Sequence, residues 1–381
     1  MHGHDLKLLI PAALNTTYLN AGTLGPTPST ALAAAAAGEL EWVQAGPGQD
    51  VHYLDARAKV RSFARRLEGA MPGGVVSMTQ NNSESLLRVL WGLPWHSGDE
   101  IVITDHEHDA VILSLSALMR QFDVRVRVAS VNGAQSLVDE VARLLNPKTR
   151  LVVMSHVSYL TGWELPVAKV ADLIRSYPQC RLLVDGAQAL GNIVVEPGRL
   201  GVDYYCFCGH KWMMAPAGWA ALWVRSDRRE ELGVRWPEKP RSLDPRVLEK
   251  GPLLEYSDGG DDLEYGTRCW PRISGWSVTW DYFEEEGFLR NAQYQRRLAD
   301  DAREALGGIK SLRVINPPEG LASTALMAVA CHSLGSGLFE WLLKQGVVVK
   351  PQRLVQGIRV SWAAFNTVED IESLVNACRK I

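Results

Sequence analysis

Between residues 75 and 224 short apolar runs alternate with stretches of helical period, and this alternation limits the fold more than any other feature. Val75 to Thr79, Ile101 to Thr104, Val124 to Val128, Leu151 to Met154, Leu182 to Asp185, Tyr204 to Cys208 and Ala220 to Val224 read as strands. Helices are expected between them, over about 86–91, 110–121, 135–145 and 166–176. Runs that are apolar throughout suit strands buried on both faces. Repeated strand–helix units then build an α/β fold around a doubly wound, mostly parallel sheet. Ligands of such sheets sit off the carboxyl ends of the strands, so the residues closing each run carry the chemistry.

The flanks read differently. Residues 1–14 look like a mobile start or short lead-in, and helices are expected over 29–43 and about 51–69. Residues 235–262 are rich in Pro, Gly and charge and read as an excursion or linker. One long helical region is expected over 273–306. Beyond 311, strands (about 325–331, 347–350, 357–361) mix with helices (336–345, 368–380) in an α+β pattern. The expected division is a large domain over 15–262 and a smaller C-terminal one over 263–381, with the first residues able to pack on the latter.

A net charge of −3 gives no basic field for nucleic acid. No apolar run reaches the roughly 20 residues of a membrane span, and no basic-then-apolar leader opens the chain. The six cysteines are scattered and read as reduced thiols, so a cytoplasmic location is expected. Cys206-x-Cys208 and His106-x-His108 are weak metal signals with no further ligands at metal-site spacing.

The strand ends are polar. One closes in Asp185-Gly186-Ala187-Gln188 and the next leads to His210-Lys211, so Asp185, Gln188, His210 and Lys211 can face one crevice. An amine that holds an aldehyde as a Schiff base, with a carboxylate that keeps a pyridine nitrogen protonated, is what pyridoxal 5'-phosphate (PLP) chemistry needs. Taken alone, the same residues also suit an Asp closing a core strand and a surface lysine. The turn Gln80 to Ser85 before a helix suits an anion site or an ordinary cap. His108 could lay its ring on a planar cofactor. The Gly/Pro loop 18–28, which includes Asn20, suits either a pocket wall or a plain turn.

With these motifs in order, the sequence resembles the class V aminotransferase group of fold-type-I PLP enzymes over nearly its whole length. The match is carried by Asp185 to Gln188, by His210-Lys211, and by Arg359-Val360-Ser361 with Phe365-Asn366-Thr367. The resemblance implies that Lys211 holds PLP, Asp185 pairs with the ring nitrogen, Gln188 bonds the ring oxygen and His108 stacks on the ring. It implies that Asn82, Ser83 and His210 bind the phosphate. Thr267, after Gly266, would reach the phosphate of a partner subunit in a homodimer with shared sites. Arg359 would grip the substrate carboxylate as a bidentate fork, and Asn20, Lys350 and Arg353 would bind the substrate with it.

Within the group the chain looks like the cysteine/cystine C–S lyases, through Val89 to Glu100, Ser155 to Gly162, Val202 to Tyr205 and Gly209 to Trp212. It departs from them at Lys350, where they carry Arg, and at Leu160, where they carry Asn. Arg268 is similar to the isopenicillin N epimerase-like branch. Related cysteine desulfurases need a nucleophilic Cys shortly before the carboxylate-binding Arg, and Lys350 to Gln356 has none. The implied activity is β-elimination from cysteine, cystine or an S-substituted cysteine. An aminotransferase or epimerase would share the same cofactor residues. A scaffold without catalysis would not need Lys211 and Asp185, and both are present.

Overall fold

A computed structural model of the chain describes residues 3–45, 49–233, 245–251, 259–264 and 266–381. Most of the expected linker over 235–262 therefore lies outside the described residues, as does Tyr265. In chain order, α1 (His4–Lys7), α2 (Pro11–Asn15) and β1 (Thr17–Tyr18) precede α3 (Ser29–Gln44) and α4 (Gln49–Ala70). The alternating region follows as β2 (Gly74–Thr79), α5 (Asn82–Gly92), β3 (Glu100–Thr104), α6 (Asp109–Phe122), β4 (Arg125–Ala129), α7 (Ala134–Leu144) and β5 (Thr149–Ser155). It continues through β6 (Trp163–Glu164), α8 (Val167–Ile174), β7 (Arg181–Asp185), α9 (Pro197–Leu200), β8 (Tyr204–Cys208) and β9 (Ala220–Arg225).

Seven of these strands form one sheet in the order β2-β9-β8-β7-β5-β3-β4. β8, β7, β5, β3 and β4 pair in parallel, and β9 runs antiparallel between β2 and β8. Both faces are covered. Leu183, Tyr204 and Cys206 pack on one side, and Leu182, Val184, Tyr205 and Phe207 on the other. This is why these runs carry no polar alternation.

The remainder comprises α10 (Ile273–Glu286), α11 (Phe288–Gly307), β10 (Leu312–Val314), β11 (Ala322–Ser323), β12 (Leu326–Cys331), α12 (Leu338–Lys344), β13 (Val347–Val348), β14 (Lys350–Gln352), β15 (Gly357–Ser361) and α13 (Val368–Cys378). A second, antiparallel sheet has the order β10-β12-β15-β14. The expected single helix over 273–306 is broken at Gly287, whose φ of 85° is left-handed and stops the α10 ladder. α10 packs on α3 and α4, whereas α11 packs on α13 and β10.

From Gly3 onward the N-terminal lead-in packs on the C-terminal segment. Leu6, Ile10 and Ala13 recur at helical spacing and are buried, Gly3 N–H donates to the Ala364 carbonyl, and Lys7 pairs with Asp370 at 2.6 Å. The chain then pairs β1 with β13 in parallel and bridges Asn20 to Ser361. From there residues 20–25 cross to the large sheet, where Gly25 N–H donates to the His210 carbonyl at 2.8 Å.

A second tie between the sheets runs through Gly162. Its carbonyl accepts from Thr324 N–H at 3.1 Å and from Thr324 Oγ1 at 2.9 Å. Its φ is +78°, and a Cβ there would lie 1.9 Å from the Leu326 carbonyl oxygen. Strain and clash act together, so Gly162→Ala should lower the unfolding free energy by more than about 2 kcal/mol. Urea denaturation read at unchanged m-value measures it, and an unshifted midpoint would refute the tie.

Candidate active site

Four parallel strands end at one edge, and each delivers a polar residue. β3 ends before Glu107 and His108, β5 before Tyr159, β7 in Asp185, and β8 before His210 and Lys211. The β2–α5 turn closes the side. Asn82, Ser83, His108, Asp185, Gln188, His210 and Lys211 line one cleft of about 230 Å³. These are seven of the residues expected from the sequence. Ser155 and Tyr159, not singled out there, line the same cleft.

Asp185 is buried, and its Oδ1 accepts from Ala187 N–H at 2.9 Å and from Asn82 Nδ2 at 2.8 Å. Asn82 thus spends its side-chain amide on Asp185. Its Oδ1 is buried without a hydrogen-bond partner among the described residues. The capping role falls to Asn81, whose Oδ1 accepts from Glu84 N–H at 2.9 Å. That leaves the N–H groups of Asn82 and Ser83 directed off the start of α5, the usual setting for an anion. Gln188 is held at both ends of its amide: Nε2 donates to the Gly22 carbonyl at 2.7 Å, and Oε1 accepts from the Trp212 indole at 2.9 Å. One amide hydrogen remains uncommitted among the described residues.

The histidines are biased towards the neutral form. Burial, then the nearby Lys211 charge, lowers the pKa of His108, whose Nδ1 accepts from Ala110 N–H and caps α6. Its ring meets Tyr159 edge-on at 4.8 Å. The same two causes push His210 down to about 4, and its Nδ1 is buried with no partner among the described residues. His106 stacks on Trp163 and bonds Ser158 at 2.8 Å, which turns it to a structural duty outside the cleft.

The sequence did not single out Glu107. Its carboxyl is fully enclosed: Oε1 accepts from Ser155 N–H at 2.9 Å and Thr104 Oγ1 at 2.5 Å, and Oε2 from Ser155 Oγ at 2.9 Å. Burial raises its pKa to about 7, and the charge of Asp185 adds to the shift. An acid flanked by two histidines reads as surface or metal-binding chemistry, so no local signal marked this one as buried.

Arg359 lies just beyond the cleft wall, 4% exposed. Nη1 donates to the Tyr159 carbonyl at 3.2 Å and Nη2 to Thr23 Oγ1 at 2.6 Å, while Nε is buried without a partner among the described residues. Burial lowers its pKa to about 10. Lys350 is its direct partner across the β14–β15 ladder, so both side chains lie on one face. Arg353 is exposed in the turn after β14, and Asn20 on the crossing loop carries a buried Oδ1 without a partner among the described residues. Thr267 is exposed and outside the cleft. Arg268 is buried behind the β2–α5 turn, donating to the Met78 carbonyl and pairing with Glu84 at 3.0 Å. Cys269 lies at the surface against Glu39. Neither Arg268 nor Cys269 lines the cleft.

The sequence matches the family described as Aminotransferase class-V over residues 50–374. It is similar to a protein named "Probable cysteine desulfurase" from Mycolicibacterium paratuberculosis, 29% identical over 343 residues, covering 86% of this chain and 49% of that protein. The chain thus spans about half the length of the mycobacterial relatives it matches. Among solved structures, the cystine C-S lyase C-DES in complex with its reaction product cysteine persulfide is 27% identical, with a TM-score of 0.86 over 98% of this chain and 99% of that one. A C-DES lysine variant with glycine covalently linked to the PLP cofactor is 26% identical, with a TM-score of 0.88 and the same coverage.

The enclosure of Glu107 has a signature in stability. Its folded pKa is raised from the ordinary 4.5 to about 7, so folding favours the protonated acid. The stability it contributes is whole below the unfolded value and is lost as pH rises through about 7. Relative to the parent, Glu107→Gln should therefore gain a few kcal/mol between about pH 5 and pH 8. Urea midpoints across that range measure it; parallel curves would mean that Glu107 ionises at its ordinary value.

Proposed function

Because the chain belongs to the aminotransferase class-V family, we propose that it is a PLP-dependent carbon–sulfur lyase. It acts by β-elimination on cysteine, cystine or an S-substituted cysteine and releases pyruvate, ammonia and a thiol or persulfide. The observation that carries this reading is the convergence of Lys211, Asp185 and His108 on one cleft at the carboxyl edge of the large sheet. The likeness to C-DES over 98% of the chain supports it.

The cleft fits the cofactor on its own terms. Lys211 offers the amine for the aldehyde. Asp185 offers Oδ2, which accepts no hydrogen bond from the described residues, to a ring N–H. The N–H groups opening α5, with Ser83 and the unpartnered Nδ1 of His210 nearby, suit the phosphate. His108, biased to neutrality, offers a flat uncharged ring to the cofactor face. Gln188 offers its remaining amide hydrogen to the ring oxygen. Thr267 reaches across to the second site of a homodimer.

When bound, PLP supplies an electron sink for the charge that develops at the substrate Cα. Arg359 binds the substrate carboxylate, using the Nε–H that has no acceptor among the described residues. Lys350, on the same face, adds positive charge beside it. Freed when the substrate's own amine takes its place at the aldehyde, Lys211 Nζ would remove the Cα proton of the substrate held there. The Cβ–S bond breaks, the sulfur leaves with its electron pair, and the released aminoacrylate hydrolyses to pyruvate and ammonia.

The cysteines support a lyase over a reaction that parks sulfur on a protein thiol. Five of the six are buried, and Cys269 lies against Glu39 away from the cleft. Burial pushes Cys208, the cysteine closest in sequence to Lys211, up to about 11, which leaves it protonated and unreactive.

Lys211→Ala should abolish pyruvate release from cystine and cysteine and remove the cofactor absorption that borohydride bleaches. Full activity in that variant would refute the mechanism. Arg359→Lys keeps the charge but loses the fork, and should raise KM at least about tenfold with a smaller effect on kcat. An unchanged KM would place carboxylate recognition elsewhere.

A further inference from the structure

Asn82 stands at the first position of α5, where an amide is expected to face an anion ahead of the helix. It turns instead into the sheet edge and donates to Asp185, 103 residues away, at 2.8 Å. Both side chains are nine-tenths or more buried. We propose that Asn82 is a positioning residue for Asp185, fixing its carboxylate for the ring nitrogen of the cofactor rather than gripping the phosphate. This rests on the cofactor reading above.

Three observations carry it. First, the helix start does not need this side chain, because Asn81 already caps Glu84 N–H. Second, the donors from Asn82 and Ala187 meet on the same carboxylate oxygen. The Ala187 bond follows from the backbone turn after β7 and would form with any residue at position 82. The Asn82 bond is the one that a side chain adds, and it stops rotation of the carboxylate about Cβ–Cγ. Oδ2 is thereby the oxygen left for a ligand. Third, Asn82 Oδ1 is buried with no partner among the described residues. An orphaned buried acceptor costs about 1–3 kcal/mol, so the amide is not oriented for its own satisfaction. An ionised carboxylate only accepts, so Nδ2 is the end that must face it.

Apo-protein titrations with three probes separate the two roles. The probes are PLP, pyridoxal (which lacks the phosphate) and a PLP analogue whose ring nitrogen is replaced by carbon. Asn82→Ala should weaken PLP and pyridoxal by a similar factor, about tenfold for a hydrogen bond to a charged group. It should leave the carbon-ring analogue unchanged. Asn82→Asp, equal in shape but with an acceptor in place of the donor, should weaken PLP further and covers the case in which the alanine variant fails to fold. Weakening of PLP and the analogue with pyridoxal untouched would make Asn82 a phosphate ligand and overturn the proposal. Unchanged affinities for all three would overturn it too. Failure of the unsubstituted protein to bind PLP would instead sink the cofactor reading, a result separate from either.

Discussion

The parallel register of β7 between β5 and β8 is the constraint on which the site depends. It sets Ser155 beside Asp185, and Asp185 beside Cys206. From those pairings follow the Ser155 bonds to Glu107, the reach of Asn82 to Asp185 and the arrival of Lys211 three residues beyond the end of β8. A slip of one residue would send Asp185 to the opposite face. The slip is resisted because these strands are buried on both sides, so every side chain would move from one packed layer into the other.

Charge in the cleft is governed by burial. Two histidines face Lys211 and are both lowered, first by desolvation and then by the lysine itself. Glu107 is raised by the same enclosure. The neighbours of Lys211 and Asp185 thus tend to neutrality. Behind the β2–α5 turn, Glu84 pairs with Arg88 and Arg268, so the one acid at the start of α5 has its charge compensated away from the cleft. Arg268 therefore serves the turn, and on the proposed reading the selection of substrate falls to the far wall.

That far wall is built by the small sheet. Arg359 and Lys350 share a face of β14–β15, and Arg359 touches both the Tyr159 carbonyl from the large sheet and Thr23 from the crossing loop. Loop 20–25 is anchored at Ser361 on one side and at His210 and Gln188 on the other. Gly25 approaches Lys211 so closely that a Cβ would lie 1.9 Å from the lysine carbonyl oxygen. Arg359 and Lys211 are thus held by one short strap, and a change in the tilt of the small sheet would be felt at both.

The sequence by itself determined the strands, their mostly parallel pairing and the polar residues that end them, because apolar run length and helical period are local properties of the chain. It located Asp185, Gln188, His210, Lys211 and His108 for the same reason: each sits at or just past a strand end. The tertiary structure alone decided what each side chain touches. It turned Asn82 from the helix start to Asp185, enclosed Glu107, and put Tyr159 against His108 and Arg359. It also packed residues 3–15 onto the C-terminal segment and set Arg268 behind the turn. These outcomes join residues from roughly fifty to more than three hundred positions apart, through hydrogen bonds and burial that no local pattern encodes. Position along the chain told which residues could meet at the sheet edge; packing settled which of them share a bond there.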